Sequence, residues 1–192
     1  MLTEAEIIAR LQTRVTAEIR AETDTPVGSL RCAAVLIPLL VSAGEWHILF
    51  TRRTDRVESH KGQVSYPGGA CDEGETSAEE TALREAEEEI GLQPRHVRPL
   101  GRLAPMATIS DYLVTPVVGS IQWPYVFRPA RAEVARVFSM PLAWLADSSN
   151  RWEFNIPGRR NSVVFFNPFE GELLWGATAR MTVEIINRVF SL

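Results

Sequence analysis

The sequence predicts a mixed α/β fold in which helices cover a central sheet. Short apolar segments typical of strands are interspersed with a few amphipathic segments typical of helices. The chain has 192 residues, of which 45% are hydrophobic and 23% are charged. This length and composition are typical of one globular domain spanning residues 1–192. No internal repeat, low-complexity tract or linker divides the chain.

Bulk properties argue against several classes of protein. A formal net charge of −4 argues against a nucleic-acid partner that needs a broad basic face. The longest apolar run, residues 32–43, is shorter than the roughly 20 residues that cross a bilayer, so no membrane partner is expected. The first ten residues lack the apolar core of a signal peptide. Cys32 and Cys71 are too few for a disulfide framework, which favours a reducing cytoplasm.

The first predicted element is an amphipathic helix over about residues 3–20. Apolar side chains recur at intervals of three and four from Ile7 to Ile19. Thr3 and Glu6 have the spacing of a capping box, in which each residue satisfies a backbone amide of the other. The helix is therefore predicted to begin at Thr3.

The predicted strands are apolar and β-branched runs bounded by turn residues. The first two runs are joined by four residues suited to a hairpin, which include Gly44. A third run is stopped by Pro67 and two glycines. The predicted strands are residues 33–41, 47–52, 63–66, 97–104, 113–121, 133–138, 151–156 and 162–166.

Three further helices are predicted, at residues 77–90, 141–146 and 177–190. The first of them has the clearest ends. Ser77 and Glu80 can form a capping box, and Gly91 is a natural residue to follow a helix C-terminus.

An acidic segment, residues 68–92, holds nine carboxylates against one base, Arg84. Successive helix residues turn by about 100°, so Glu85, Glu88 and Glu89 share one face. The other two faces are a solvent face with Glu80 and Glu87 and an apolar face with Leu83, Ala86 and Ile90.

Three carboxylates on one face repel one another unless a cation lies between them. Mg²⁺ or Mn²⁺ suits such oxygen ligands and retains water for chemistry. The alternative is a solvated, Glu-rich helix, which most charge runs are. Here Gly68 and Gly69 allow backbone to approach a metal or phosphate closely. Arg84 can orient a ligand by pairing with Glu80 or Glu88. This combination favours a metal site.

The segment from Gly69 to Leu92 resembles the signature of the Nudix hydrolases. Gly69 and Glu75 keep its first spacing, but eight residues rather than seven separate Glu75 from Arg84. This longer spacing resembles the coenzyme A diphosphatase subgroup, as does the upstream run LFTRRTDRVESHKGQVSYPGG. The resemblance is continuous from Leu49 to Leu92 and is weaker further on. It implies an α/β/α sandwich with a mixed central sheet, whose motif helix carries the metal site.

The resemblance also implies a reaction. Water attacks the diphosphate of coenzyme A or acyl-CoA, with Mg²⁺ or Mn²⁺, and releases adenosine 3′,5′-bisphosphate and 4′-phosphopantetheine or its acyl derivative. Val57 and Glu58 stand where the subgroup often has Leu-Arg, which leaves other nucleoside diphosphate derivatives open as substrates: ADP-ribose, a dinucleotide or a nucleoside triphosphate. A non-catalytic binding module is disfavoured because all three motif glutamates are present. Both a monomer and a homodimer remain open.

The implied metal ligands are Glu85 and Glu89, with Glu88 as ligand or support and the Gly69 carbonyl completing the set. The catalytic residues are expected to be Glu85, Glu88 and Glu133, and the candidate bases are Glu85 and then Glu133. A surface acid beside a strand is an equal alternative for Glu133.

The predicted substrate-binding residues are Arg53, His60, Gly68 and Gly69. Strand alternation sends Arg52 and Arg53 to opposite faces, and Arg53 matches the subgroup pattern. His60 has two open roles, to hold the glycine turn by a hydrogen bond or to contact substrate.

Overall fold

The computed structural model describes residues 2–12, 20–21, 26–55, 61–156 and 162–190. The helices in these residues are α1 Glu4–Gln12, α2 Ala78–Ile90, α3 Leu142–Ala146 and α4 Gly176–Ile185, the last followed by a π-helical turn over Ile186–Phe190. The strands are β1 Arg20–Ala21, β2 Arg31–Ser42, β3 Glu45–Arg53, β4 Val64–Ser65, β5 Gly68–Ala70, β6 Val97–Arg102, β7 Met106–Ala107, β8 Tyr112–Ile121, β9 Val134–Pro141, β10 Arg151–Phe154 and β11 Val163–Phe166.

A nine-stranded mixed sheet links β1 to β9 within the described residues. Strand β2 runs parallel to β8, from Arg31 beside Tyr112 to Leu39 beside Ser120. It also pairs antiparallel with β3 at one end and with β5 nearer the other. Strand β3 continues the sheet to β4 and β9, and β8 continues it to β6 and β7. The predicted mixed central sheet is confirmed.

Helices pack on both faces of this sheet. Ile7 of α1 and Ile185 of α4 belong to a core that includes Ile37 and Phe50 of the sheet. Ala82, Ala86 and Ile90 of α2 belong to the opposite core, with Leu36 and Val117 among their companions. The predicted sandwich is therefore confirmed. No helix in the described part of the chain is long and apolar enough to cross a membrane.

The predicted start of α1 and both predicted ends of α2 are confirmed, although the Glu80 carboxylate accepts from the Thr76 amide and not from that of Ser77. The Thr3 backbone amide donates to Glu6 Oε2 over 2.7 Å, and the Glu6 amide donates to Thr3 Oγ1 over 3.3 Å. At α2, Ser77 Oγ accepts from the Glu80 amide over 3.2 Å. Gly91 ends this helix in the left-handed conformation, with φ of 68°. Local hydrogen bonding thus fixes where each helix begins or ends.

Three expectations about secondary structure need correction. The first helix does not reach residue 20, because α1 ends at Gln12 and Arg20 belongs to β1. Residues 13–19 lie outside the described part. The glycines after Pro67 do not simply end a strand, since Gly68–Ala70 is itself the strand β5, paired with residues 33–35 of β2. The closing helix becomes π-helical after Ile185.

The two cysteines are bonded to each other. Cys32 lies in β2, Cys71 directly follows β5, and their Cα atoms are 5.4 Å apart. The Cys71 amide also donates to the Cys32 carbonyl over 3.0 Å. Their number argued against a disulfide framework, and their pairing was not predicted. Two cysteines do not make a framework, but pairing β2 with β5 brings these two together.

Candidate active site

Strand β5 lies directly against the acidic face of α2. A Cβ atom placed on Gly69 would be 2.5 Å from Glu85 Oε1, so the Glu85 carboxylate occupies the space of a side chain. A Cβ on Gly68 would be 2.6 Å from the Val35 Cα of the neighbouring strand. Only glycine lets backbone lie between the sheet and the helix in this way. Both glycines therefore let the backbone of β5 lie close to its neighbours, Glu85 and β2, and the approach to a metal or phosphate stays a prediction.

Arg84, in the middle of α2, is the centre of an ion-pair network. Its guanidinium contacts Glu75 (Nε–Oε1 2.8 Å), Asp72 (Nε–Oδ2 3.3 Å), Glu85 (Nη1–Oε1 2.9 Å), Glu88 (Nη1–Oε2 3.0 Å) and the Ala70 carbonyl (Nη2–O 3.0 Å). The predicted partner Glu88 is confirmed. The alternative, Glu80, is wrong, because its carboxylate accepts from the Thr76 amide over 2.7 Å.

Glu75 anchors this network from the loop before α2. Its carboxylate accepts hydrogen bonds from Arg84 Nε, Thr81 Oγ1 (2.7 Å) and the Asp72 amide (2.7 Å). These bonds, the one from Arg84 foremost, lower the pKa of Glu75 to about 2. Glu75 is therefore ionised at neutral pH and holds Arg84 in a fixed orientation.

The Glu89 side chain is more deeply buried than that of Glu75, and its charge is less well compensated by neighbouring groups. Only 7% of its side chain is exposed, and its nearest cation is Arg53 Nη1, 3.7 Å from Oε1. Burial raises the pKa of Glu89 to about 8, and the negative charges of Glu85 and Glu133 add to this. Arg53 and the Gly68 amide act in the opposite direction. Arg53 Nε is buried, and no acceptor in the described residues reaches it.

Glu133 reaches the same region from the segment before β9. The Ala130 amide donates to the Glu89 carbonyl, and the Arg128 amide donates to the Ile90 carbonyl, each over 2.8 Å. These two carbonyls belong to the last turn of α2, where the helix has no amides left to bond them. The segment thus caps the C-terminal end of α2. The negative charge of Glu133 contributes to the raised pKa of Glu89.

The other predicted residues are placed as follows. Arg52 and Arg53 have separate partners, because Arg52 lies 3.9 Å from both Asp55 and Glu172 whereas Arg53 faces Glu89. Glu88 is 61% exposed and is turned to Arg84. Burial raises the pKa of Glu85 above its ordinary value, and Arg84 partly offsets this. His60, Val57 and Glu58 lie outside the described residues.

Two threonines of this region were not singled out by the sequence. Thr81 is buried in α2 and holds Glu75 through its hydroxyl. Thr54, directly after β3, donates from Oγ1 to the Ala132 carbonyl over 2.9 Å. Thr81 lies in a run that matches the subgroup signature, which was the one available signal. A single threonine after a strand carries no such signal, so Thr54 could be found only from its contacts.

The donor set suits a hard divalent cation. The candidate ligands are carboxylates of α2 and a carbonyl of β5, the oxygen donors that Mg²⁺ and Mn²⁺ prefer. Among the described residues, no three acidic, His or Cys side chains already converge on one point. Glu85 and Glu88 are instead paired with Arg84, while Glu89 is buried with weak compensation. Of the predicted ligands, Glu85 lies against Gly69, and Glu89 accepts from the Gly68 amide, so both carboxylates lie where β5 touches α2.

Known proteins resemble this chain in sequence and in fold. The model of the NUDIX domain family matches residues 30–156. An uncharacterized Nudix hydrolase NudL of Pectobacterium atrosepticum is 37% identical over 175 residues, which are 91% of this chain and 88% of that protein. Its namesake in Escherichia coli K12 is 40% identical over 156 residues, 81% of each chain. A crystal structure of a MutT/nudix family protein from Enterococcus faecalis covers 98% of this chain and 75% of its own, with 14% identity and a TM-score of 0.56, and it supports the fold alone.

Proposed function

Because this chain belongs to the Nudix hydrolases, which act on phosphoanhydride bonds, we propose that it cleaves the diphosphate linkage of coenzyme A or acyl-CoA. The observation that carries this choice is the longer spacing between Glu75 and Arg84. The two side chains still meet at 2.8 Å, so the additional residue leaves the Arg84 network intact. The spacing is therefore an intact variant of the motif that resembles the coenzyme A subgroup.

The proposed reaction is hydrolysis at phosphorus. The oxygen of a water molecule bonds to one phosphorus while the bond from that phosphorus to the bridging oxygen breaks. Adenosine 3′,5′-bisphosphate and 4′-phosphopantetheine, or its acyl derivative, leave as the products. A bound Mg²⁺ or Mn²⁺ supplies charge neutralisation and lowers the pKa of water. Glu85, Glu89 and the Gly69 carbonyl are proposed to hold it, with Glu88 supporting them.

A carboxylate must take the proton that the attacking water loses. Glu85 is the first candidate, because burial raises its pKa and so makes it a better proton acceptor than an ordinary glutamate. Glu133 is the second candidate, since its charge acts on Glu89 from across the site. In either case Arg84 orients the acids of α2, and Glu75 in turn fixes Arg84.

The substrate side of the proposal rests on Arg53 and the glycines. Arg53 has a buried nitrogen that no described acceptor reaches, so a phosphate oxygen would complete its hydrogen bonding. The glycines Gly68 and Gly69 keep the backbone of β5 close to the carboxylates of α2, so a phosphate held by this backbone would lie beside the proposed metal ligands. His60 keeps its two predicted roles, in the turn or on the substrate.

The test is a panel of substrates with Mg²⁺ and with Mn²⁺. Coenzyme A, ADP-ribose, NADH, a diadenosine polyphosphate and a deoxynucleoside triphosphate are compared by kcat/KM, and the products are separated by chromatography. We expect coenzyme A to give the highest value and two phosphomonoester products. A clear preference for another member of the panel would refute the coenzyme A proposal and leave the family reaction in place.

Another nucleoside diphosphate derivative is the second candidate, and Glu58 favours it. An acid at this position removes a cation that would help to hold a phosphate-rich ligand. Glu58→Arg is therefore expected to raise kcat/KM for coenzyme A, and Glu58→Gln separates the loss of a negative charge from the gain of a positive one. An Arg variant that uses coenzyme A no better than wild type would show that charge at this position does not limit the reaction.

A cytoplasmic location remains part of the proposal, and the Cys32–Cys71 bond makes the thiol state in cells worth measuring. A non-catalytic role is disfavoured because Glu85, Glu88 and Glu89 are all present. Whether the enzyme works as a monomer or a homodimer is decided by light scattering of the purified protein.

A further inference from the structure

We infer that Thr54 is a positioning residue for Glu133, an inference that rests on the proposed catalytic role of Glu133. Thr54 directly follows β3 and is 9% exposed. Its amide donates to the Glu133 carbonyl over 2.8 Å, and its hydroxyl donates to the Ala132 carbonyl over 2.9 Å. One residue thus holds two successive peptide units of the segment that carries Glu133.

The same segment is held from a second side by α2. Residues 128–133, here called the capping segment, donate the amides of Arg128 and Ala130 to the last carbonyls of that helix. Within the segment, the Glu133 amide donates to the Ala130 carbonyl over 2.8 Å. The capping segment is therefore clamped between the end of β3 and the end of α2.

This clamp has a consequence for the Glu133 side chain, which is itself exposed. An exposed glutamate has several rotamers, and its carboxylate stays near Glu89 only if the backbone beneath it is fixed. Thr54 supplies that fixation at the peptide of Glu133 itself. A small displacement of a catalytic group costs a large factor in rate, since the reacting geometry is narrow.

Arg53 adds a reason why the clamp lies where it does. Its guanidinium faces Glu89, and the next residue, Thr54, binds the backbone of Glu133. Two neighbouring residues at the end of β3 thus reach the two acids, one through its side chain and one through its backbone and hydroxyl. Displacing the end of β3 would move both together.

The test replaces the hydroxyl without changing the shape of the side chain. Thr54→Val removes the bond to Ala132 and keeps the amide bond to Glu133. We expect kcat to fall about 5-fold with little change in KM. Thr54→Ser restores the hydroxyl and should restore kcat. Thr51→Val is the matched control, because Thr51 is buried in β3 and its hydroxyl bonds Ser65 instead.

A double-mutant cycle separates positioning from a general loss of structure. In the Glu133→Gln background, Thr54→Val should cost no further turnover, since the group that it positions is gone. Amide hydrogen exchange over residues 128–134 supplies a readout that needs no activity. It should be faster in Thr54→Val than in wild type or Thr51→Val.

Several outcomes overturn the inference. Wild-type turnover in Thr54→Val would do so, as would an equal loss in the Glu133→Gln background. Full turnover in Glu133→Gln would remove the role that Thr54 supports, while the proposed diphosphate hydrolysis would stand. If wild type hydrolyses none of the panel, the proposed function fails, and unchanged hydrogen exchange in Thr54→Val would then reject the anchoring as well.

Discussion

Arg84 and Arg53 both contact glutamates of α2, but they differ in the number and length of these contacts. Arg84 makes contacts of 2.8 to 3.3 Å with four carboxylates and also donates to a carbonyl. Arg53 stands 3.7 Å from Glu89 and keeps a buried nitrogen that no described acceptor reaches. Arg84 has acceptors on all sides of its guanidinium. Arg53 keeps one nitrogen without a described acceptor, and the charge of Glu89 is poorly compensated.

The difference appears in the pKa of the acids that each arginine contacts. The pKa of Glu75 is lowered to about 2, because the Arg84 network stabilises its charge. The pKa of Glu89 is raised to about 8, because burial outweighs the influence of Arg53. A closed network is what a structural element needs. A bound cation would stabilise a buried acid with weak compensation, which supports the proposal that Arg84 orients the acids and that the region of Glu89 binds the metal.

The largest expected effect comes from removing the carboxylate of Glu89, the acid proposed to bind the metal. Glu89→Gln keeps the shape of the side chain, and we expect turnover to fall about 10²-fold or more, equivalent to about 3 kcal/mol of barrier. Glu87→Gln is the control, since Glu87 is an exposed acid of the same helix. Circular dichroism should show both variants folded. Near-normal activity in Glu89→Gln would refute the metal assignment.

The next prediction tests whether Arg84 orients the acids of α2 through the several nitrogens of its guanidinium group. Arg84→Lys keeps the charge but cannot contact Glu75, Glu85 and Glu88 together. We expect turnover to fall about 30-fold, equivalent to about 2 kcal/mol. Arg102→Lys is the matched control, because Arg102 pairs with Glu79 in the first turn of the same helix. If both lysine variants lose equally little, the Arg84 network does not orient the site.

A smaller effect is expected at the other arginine. Arg53→Ala should raise KM about 10-fold, the cost of one lost contact between charged groups, with a smaller change in kcat. Arg52→Ala is the control, since Arg52 faces Asp55 and Glu172. Initial-rate kinetics on the best substrate of the panel measure both. A rise in KM of the same size in both variants would contradict the assignment of Arg53 to the site.

The smallest effect concerns stability and acid pH. The folded pKa of Glu75 is about 2, below the unfolded value of about 4.3, so its stabilisation is complete above about pH 5. It is lost as the pH falls toward 2. Glu75→Gln should therefore lower Tm by about 2 to 4 °C at pH 7, and the difference from wild type should shrink on acidification. Glu73→Gln, an exposed neighbour, should show neither change, and a pH-independent difference for Glu75→Gln would contradict this linkage.

Much of the fold could be predicted because its signals are local. The start of α1 and both ends of α2 follow from Thr3, Glu6, Ser77 and Gly91, whose side chains or backbone act within one turn. The strand β5 was not predicted, because its pairing with β2 joins distant parts of the chain. A run of glycines is typical of a turn, and only the neighbouring strand makes it part of a sheet.

The site was predictable to a similar depth. Helical spacing placed Glu85, Glu88 and Glu89 on one face and left Glu80 and Glu88 as possible partners of Arg84, of which Glu88 is the one in contact. Helical spacing could not identify Glu75 as the closest partner of Arg84. Glu75 lies in the loop before α2, and the conformation of that loop cannot be inferred from helical periodicity. The roles of Thr54 and of residues 128–133 depend on contacts between segments far apart in the sequence, which no local pattern reports.

The Cys32–Cys71 bond changes how the protein should be handled at the bench. It closes a covalent loop over 39 positions that contains β3, β4 and β5. By lowering the conformational entropy of the unfolded chain, this bond adds about 4 kcal/mol to the free energy of unfolding according to the chain-entropy relation. A buffer with dithiothreitol would therefore hold a molecule that melts earlier, and activities measured with and without reductant would belong to two different species.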